Sequence, residues 1–242
     1  MREPVKGTSA SGRRREARAR ATRDRIVEAG RRLFETNGYA ATTVTAIAAE
    51  AGVAPATVYQ AFGTKRAVLA RALDLAITDD QEPVSLLDRP WLEHARQARD
   101  PSRRLALVVT HTSEIAARTA ALKRAMRDAA ATDPTVGDLI RQDHRRRLTT
   151  QTALVELLIA DSPVRPGLDR DDAVATYFGL VNSDCYLLMT ETLGWDLDRW
   201  QAWLIGLLSH ELLGTAPDTD QPDGRLPGPR MSTTTADSPA EA

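Results

Sequence analysis

The most constraining feature of this chain is the segment from Thr42 to Lys65, which reads TTVTAIAAEAGVAPATVYQAFGTK. Thr43 is placed to cap a short helix, and Gly52 permits a tight turn at its end. Pro55 suits the first turn of a second helix, which runs to about Phe62. Two short helices joined by a glycine-containing turn are typical of a helix-turn-helix, although an ordinary helical hairpin has the same spacing.

The sequence around this segment predicts further helices and no sheet. A helical apolar pattern begins at Thr22 and ends at Asn37-Gly38, and Thr64 caps another helix that begins at Lys65. Ala, Leu and Arg dominate the composition, aromatic residues make up only 5%, and no useful stretch alternates as a strand does. We therefore expect an all-α protein, with an N-terminal three-helix helix-turn-helix domain and a larger helical domain.

One face of the second helix of the motif points away from the core. Val58 and Phe62 are four residues apart and point towards the small core. The remaining positions lie on the outer side of this helix: Pro55, Ala56, Thr57, Tyr59, Gln60 and Ala61. Such a helix fits the major groove of DNA, with its N-terminal residues nearest the base edges.

The charge of the chain is divided unevenly along its length. Residues 1–75 carry 14 Lys or Arg against 7 Asp or Glu, whereas the net charge of the whole chain is −1. Residues 1–20 hold five closely spaced arginines and no apolar stripe, so we expect a disordered basic arm. The arm is either a solvated tail or an element that reaches DNA phosphates or a minor groove.

The rest of the chain reads as a helical body. Asp100-Pro101-Ser102 opens a long helix, Ala121 to Ala131 forms another, and Asp133-Pro134 starts one that runs to about Ile159. Two apolar helices, 169–192 and 196–213, close the fold. We divide the chain into a basic arm (1–20), a helix-turn-helix domain (21–67), a helical ligand-binding and dimerisation domain (68–214) and a disordered tail (215–242).

Several classes of protein are not supported by the residues. The four histidines have no metal-ligand spacing, and we find no nucleophile elbow, phosphate loop or dinucleotide fingerprint. We therefore predict no metal, no cofactor and no enzymatic activity. Cys185 is the single cysteine, which excludes an intramolecular disulfide and fits a reducing cytoplasm. Neither a secretory signal nor a membrane span is apparent, so we predict a cytoplasmic protein.

The segment Arg25 to Leu69 closely resembles the N-terminal domain of TetR-family regulators. The matching features are an apolar first helix ending in Asn-Gly-Tyr, then Ala-Thr-Thr-Val, Ile-Ala, Ala-Gly-Val, and Thr-Val-Tyr followed by Phe-Gly-Thr-Lys. They occur in the family's order and spacing over about 45 residues. A weaker resemblance to the family's ligand-binding and dimerisation domain continues through Asp133-Pro134 and from Gly194 to Leu213.

The resemblance implies a DNA-binding role for individual residues. Thr43 would donate to a phosphate, Thr45 would lie near the groove, and Lys65 would bind a phosphate at a helix N-terminus. Thr57 and Tyr59 match positions that touch backbone or bases. Two departures stand out: Ala54-Pro55 replaces the common Ser or Thr cap, and Ala46 replaces the acidic partner of a capping box. These departures affect which operator is read more than whether DNA is bound.

The resemblance also implies a dimer that binds a double-stranded, palindromic operator and is released by a small-molecule effector. The helices 169–192 and 196–213 would form the homodimer interface. Candidate ligand-binding residues are His111, Asn182 and Asp184, which either face a pocket or are satisfied in the core or the interface. A constitutive or activating DNA-binding regulator without an effector is the alternative, although the large apolar body argues against it.

Overall fold

The computed structural model describes residues 10–79, 85–131, 133–160 and 164–214. In these ranges the chain consists of helices joined by caps and turns, with no β-strand, which confirms the predicted all-α class. None of these helices is both long and apolar enough to cross a membrane. The predicted tail at 215–242 and the first nine residues of the predicted arm lie outside the described residues.

The described residues form ten α-helices, with a 3₁₀ turn at Leu86–Asp88 and a π-helical turn at Leu188–Thr192. The helices are α1 (Ala10–Ala41), α2 (Val44–Glu50), α3 (Pro55–Phe62), α4 (Lys65–Thr78), α5 (Pro90–Gln97), α6 (Pro101–Ala130), α7 (Pro134–Ile159), α8 (Arg170–Leu180), α9 (Ser183–Leu187) and α10 (Leu197–Leu213).

The helices group into two compact units, and the domain boundary predicted between 67 and 68 stays a prediction. Among the described residues, the first unit comprises 10–79, 85–89, 118–131 and 133–150, and the second comprises 90–117, 151–160 and 164–214. Residues of α6 and α7 thus belong partly to each unit.

The basic segment differs from the predicted disordered arm in the part that the structure describes. Helix α1 already begins at Ala10, and residues 13–21 are all exposed along it. The segment is rich in Arg and Ala, which are strong helix formers. Glu16 lies three residues after Arg13 and four before Arg20, a spacing that lets opposite charges support a helix without a buried face.

Glycine and threonine organise the exit from α1. Gly38 has a φ of 76°, and the helix is kinked there before the chain turns towards α2. The Thr42 hydroxyl is buried and lies within hydrogen-bonding distance of the carbonyl oxygens of Gly38 (2.8 Å) and Leu33 (3.1 Å). These two contacts therefore hold the chain after the kink against the last turns of α1.

The predicted helix boundaries in the motif are confirmed. Thr43 and Thr64 adopt extended conformations as N-caps, and their hydroxyls accept hydrogen bonds from the backbone N–H groups of Ala46 and Ala67. Pro55 begins α3, which ends at Phe62. Local capping chemistry sets these boundaries, which explains why the sequence alone indicated them.

The first unit is built on one apolar core. Fully buried residues from four helices form its centre: Ile26, Phe34, Ile47, Val58, Val68 and Leu69. Helices α1 and α4 approach closely at Gly30, where an added Cβ would lie 2.6 Å from the Val68 Cγ1 atom. The core thus holds α3 through Val58 while the other side of that helix is left to solvent.

The structure corrects the helix predicted at Ala121 to Ala131, because those residues continue α6 as far as Ala130. No glycine or proline lies between Pro101 and Ala130, and Leu122 and Met126 keep the apolar spacing of one helix. The predicted start of this helix is confirmed, since Asp100 carboxylate oxygens accept from the backbone N–H groups of Ser102 and Arg103.

The predicted helix over 169–192 is also corrected, because it breaks at Val181 and Asn182. Asn182 is extended, with a φ of −150°, and its side-chain oxygen accepts from the N–H groups of Asp184 and Cys185. The side chain thereby begins a new helix, α9, a position at which asparagine is strongly favoured. The apolar pattern on both sides concealed this break in the sequence.

The second unit contains a buried arginine that joins two of its segments. Arg104 is 6% exposed, and its guanidinium donates to the Ala98 carbonyl (3.0 Å) and the Leu157 carbonyl (3.2 Å). A buried charge needs such hydrogen bonds to offset its lost hydration. The end of α7 is therefore held next to the segment that leads into α6.

Candidate DNA-binding surface

The outer face of α3 is open to solvent, as its pattern predicted. Val58 is 1% exposed whereas Tyr59 is 55% exposed, so the helix has a sharply divided surface. Pro55, Ala56 and Gln60 are also exposed, and Thr57 is half-buried. The exposed phenol and amide can hydrogen-bond to base edges or phosphates, since neither is needed by the core.

The start of α3 lacks a side-chain cap, in agreement with the departure noted in the sequence. Ala54 takes the N-cap position with an extended backbone (φ −73°, ψ 146°) and makes no side-chain hydrogen bond. Its side chain is exposed. The N-terminus of a helix carries partial positive charge, which favours a nearby anion such as a phosphate.

Thr43 and Thr45 lie together at the start of α2, and both side chains are exposed. The Thr43 oxygen accepts from the Ala46 N–H at 3.0 Å. Because this cap uses an oxygen lone pair, the hydroxyl hydrogen is left to donate outwards. The geometry is therefore compatible with the predicted donation from Thr43 to a phosphate.

Lys65 is more deeply involved in the fold than the sequence indicated. Its ammonium donates to the Tyr39 carbonyl (2.7 Å) and the Thr42 carbonyl (2.8 Å), and it lies 4.0 Å from the centre of the Tyr39 ring. Partial burial lowers the pKa of Lys65, and the Asp133 carboxylate opposes that shift. Two of its three N–H groups thus hold the backbone before α2, and its phosphate contact stays a prediction.

Two arginines of α1 lie beside the motif, which sequence spacing did not reveal. Arg23 donates through Nη2 to the Ala61 carbonyl at 3.3 Å, near the end of α3. The Arg25 Nη1 atom lies 3.8 Å from the position that a Cβ would take on Gly52, in the turn before α3. Helix α1 therefore passes α3 and the turn before it at residues 23–25, and its basic segment extends from that point.

The body residues predicted as ligand contacts each have a local environment that the structure describes. The His111 ring stacks on Trp91, with centroids 4.7 Å apart, and its Nδ1 atom lies 3.0 Å from the Leu107 carbonyl. Asn182 caps α9 as described, and Asp184 is an exposed residue in the first turn of that helix. The roles that the structure displays for His111 and Asn182 are packing and capping.

In the second unit, polar groups of residues other than His111, Asn182 and Asp184 are buried. The Tyr177 hydroxyl, fully buried, lies 2.8 Å from the Thr112 hydroxyl, and Ser183 donates to the Ala116 carbonyl. Gln151 is 5% exposed and donates to the Val181 carbonyl at 2.9 Å. A sequence pattern could not single out these residues, because polar positions in an apolar stripe acquire meaning only once their neighbours are known.

In the part of the chain that the structure describes, no three His, Cys, Asp or Glu residues lie close enough together to hold a metal ion. Cys185 is half-buried, and this burial raises the pKa of its thiol. A thiol with a raised pKa is less reactive, because the thiolate is the nucleophilic form.

A comparison with protein families decides the identity of the motif. Residues 26–72 match the family described as "Bacterial regulatory proteins, tetR family". The matched range covers the core of α1, both helices of the motif and the first half of α4. The N-terminal segment of the chain therefore carries the match to the TetR family, over these residues. No protein of curated function matches the chain.

Solved structures extend the likeness in fold to the whole described body. A TetR transcription regulator from Haloarcula marismortui aligns with a TM-score of 0.58 at 19% identity, covering 79% of this chain and 98% of its own. FadR from Bacillus subtilis, in complex with stearoyl-CoA, gives 0.59 at 21%, with coverages of 76% and 96%. A transcriptional regulator from Saccharomonospora viridis in complex with choline gives 0.59 at 19%, with 79% and 97%.

Proposed function

We propose that this regulator is a cytoplasmic repressor that binds an inverted-repeat operator as a homodimer and releases it on binding a small molecule. The observation that carries the proposal is the divided surface of α3, which buries Val58 and exposes Tyr59 and Gln60. A helix held by its inner face and bare on its outer face suits insertion into a major groove.

We assign base reading to Gln60 and backbone contacts to the residues around it. The Gln60 amide can pair bidentately with adenine, which combines an acceptor and a donor at its major-groove edge. Thr43, Thr45, Thr57, Tyr59 and Lys65 would hold phosphates, with Pro55 and Ala56 at the closest approach of the helix. Phosphate contacts fix the register of the protein, and base contacts give its specificity.

The proposed homodimer interface consists of α8, α9, the π-helical turn and α10. Helix α10 has more apolar surface than its own unit buries: Leu204 and Leu208 are fully buried, whereas Trp203, Ile205 and Leu207 are only half-buried. Leu188 and Leu193, which precede α10, are 57% and 38% exposed. Apolar surface of this kind on a soluble protein favours association with a second copy.

The proposed effector site lies in the second unit. Helices that bury hydroxyl and amide groups among apolar side chains, as at Tyr177, Ser183 and Gln151, provide the mixture that small-molecule sites use. The structural neighbours bind ligands as different as stearoyl-CoA and choline, so the likeness in fold does not specify the effector. A constitutive or activating regulator without an effector is the alternative function.

The test of DNA reading is a titration of the full protein against a duplex enriched from a randomised pool. Gln60→Ala is expected to lose about 1–3 kcal/mol of discrimination at one base pair of each half-site, since one bidentate contact disappears. Gln97→Ala, the same change at an exposed residue of α5, is the matched control. Unchanged discrimination in Gln60→Ala would overturn the assigned base contact.

The test of effector release uses the same complex with a labelled duplex. Candidate ligands, including choline and a long-chain acyl-CoA, are added while fluorescence anisotropy reports bound DNA. A releasing ligand is expected to raise the thermal midpoint of the free protein as well, because it binds the folded state. A ligand that stabilises the protein but tightens operator binding would contradict the repressor mechanism and favour an activator.

A further inference from the structure

The basic segment of α1 (residues 10–25) carries positive charge that α3 lacks. Helix α3, PATVYQAF, contains no Lys or Arg, although phosphate neutralisation supplies much of the affinity of proteins for DNA. Residues 10–25, by contrast, contain seven arginines and only two acidic residues. Since the structure shows this segment as a helix, its arginines have fixed directions that a disordered arm would not have.

Helical spacing places five of these seven arginines on two sides of α1. Arg14, Arg18 and Arg25 fall within about 40° of one another at 100° per residue, and we call them the arginine stripe. Arg13 and Arg20 lie on the other side, where Glu16 and Asp24 are three or four residues from them. Within residues 10–25, one side of the helix is therefore charge-balanced, and the side with the arginine stripe has no acidic residue.

The environment of these residues agrees with this division. Arg14, Arg18 and Arg25 are all exposed, and no carboxylate in the described ranges lies within ion-pair distance of them. Arg13, Glu16, Arg20 and Asp24 instead line one shared depression on the opposite side. Arg14 and Arg18, four residues apart, repel each other weakly, and a polyanion facing the stripe would be attracted by all three charges.

The stripe is continuous with the DNA-binding surface. Arg25, its last member, lies beside Gly52 in the turn that leads into α3, and Arg23 bonds to Ala61 at the other end of α3. From Arg25 to Arg14 the helix rises about 16 Å, which corresponds to about five base pairs of duplex axis. The stripe would thus reach phosphates next to the half-site that α3 reads.

We infer that the arginine stripe binds the phosphate backbone of the DNA that flanks each half-site, independently of its sequence. This inference rests on the proposed DNA-binding function and adds to it a second contact region. The guanidinium groups are planar, permanently charged and suited to bidentate binding of phosphate oxygens. The flanking contact would strengthen binding at every site without changing which operator is preferred.

The test compares two variants of the full chain that lose the same charge from the same helix. Arg14→Gln/Arg18→Gln removes two members of the stripe, and Arg13→Gln/Arg20→Gln removes two arginines from the balanced side. Each is titrated, over a series of salt concentrations, with an enriched operator that ends at its half-sites and with one extended by six base pairs of arbitrary sequence on each side. Far-UV circular dichroism checks that α1 keeps its helix in both variants.

We expect the wild-type protein and the balanced-side variant to bind the extended operator more tightly than the short one. The stripe variant is expected to lose this gain, and its log–log salt slope on the extended operator should fall by about 1.8 for each bound protomer, at about 0.9 per phosphate contact. Equal slopes for the two variants, or no gain from the flanks in the wild type, would overturn the inference while leaving operator binding intact. Failure of the wild type to bind any enriched duplex would overturn the proposed function, and the inference with it.

Discussion

The Lys65 ammonium lies 2.8 Å from the Thr42 carbonyl oxygen, across a sequence separation of 23 residues. This hydrogen bond, with the one to the Tyr39 carbonyl, joins the start of α4 to the chain that leaves α1. The residue that the family resemblance assigns to a phosphate contact therefore also holds the motif in shape. Loss of DNA binding in a Lys65 variant could arise from either role.

A first prediction separates these two roles. Lys65→Met is expected to lower the free energy of unfolding by about 2 kcal/mol, because two carbonyls lose a charged donor. Urea denaturation of Lys65→Met and of the control Arg66→Met, a change at an exposed neighbour, provides the measurement. If Lys65→Met is as stable as the wild type but binds operator poorly, the structural role is refuted and only the phosphate contact remains.

A second prediction concerns the uncapped start of α3. Ala54→Ser would supply the missing side-chain acceptor at an exposed N-cap whose backbone already has the required extended conformation. We expect the free energy of unfolding to rise by about 1 kcal/mol. Thermal and urea unfolding measure the change, with Ala56→Ser, two residues along the same helix, as the control. A destabilised Ala54→Ser protein would show that the N-cap geometry is wrong.

A third prediction uses two helical glycines with different surroundings. A Cβ at Gly30 would lie 2.6 Å from the Val68 Cγ1 atom, whereas a Cβ at Gly137 would meet the Arg141 Nη1 atom at an ordinary 3.6 Å. Gly30→Ala should therefore lose about 1–3 kcal/mol through overpacking. Gly137→Ala should gain up to about 1 kcal/mol from helix propensity.

Denaturation curves for the two alanine variants give the comparison directly. A Gly30→Ala/Val68→Ala double variant adds a further check, since removing the opposing methyl groups should recover part of the loss specific to Gly30→Ala. Two variants that shift stability by the same amount and sign would contradict the close packing of α1 on α4.

A fourth prediction concerns the buried hydroxyl pair of the second unit. Thr112→Val removes the hydroxyl that lies 2.8 Å from the fully buried Tyr177 hydroxyl and is expected to cost about 1–3 kcal/mol, because a buried polar group loses its partner. The double variant with Tyr177→Phe should be more stable than Thr112→Val alone. Additive losses in this cycle would indicate that the two hydroxyls do not interact in solution.

The sequence predicted most accurately the features that local chemistry determines. The caps at Thr43 and Thr64, the start at Pro55 and the exposed face with Tyr59 and Gln60 all follow from neighbouring residues and helical spacing. Family resemblance added the assignment to regulators, which the match over residues 26–72 supports.

The sequence was less informative where distant residues decide the outcome. The helix breaks at Asn182 because its side chain caps a new helix, although the apolar pattern continues on both sides. The structural role of Lys65 depends on hydrogen bonds to carbonyl groups 23 and 26 residues away in the sequence. The basic segment from Ala10 was predicted as disordered because it has no apolar stripe, yet good helix formers and spaced charges are sufficient for the helix that the structure shows.

The central claim is that a dimer of this chain reads DNA sequence through α3. The most direct measurement is selection of the purified full-length protein against a pool of randomised duplexes. We predict an enriched inverted repeat whose half-sites are centred about one helical turn apart, or a multiple of it, and whose binding weakens steeply with salt. No enrichment, or weak binding of all duplexes alike, would contradict the claim.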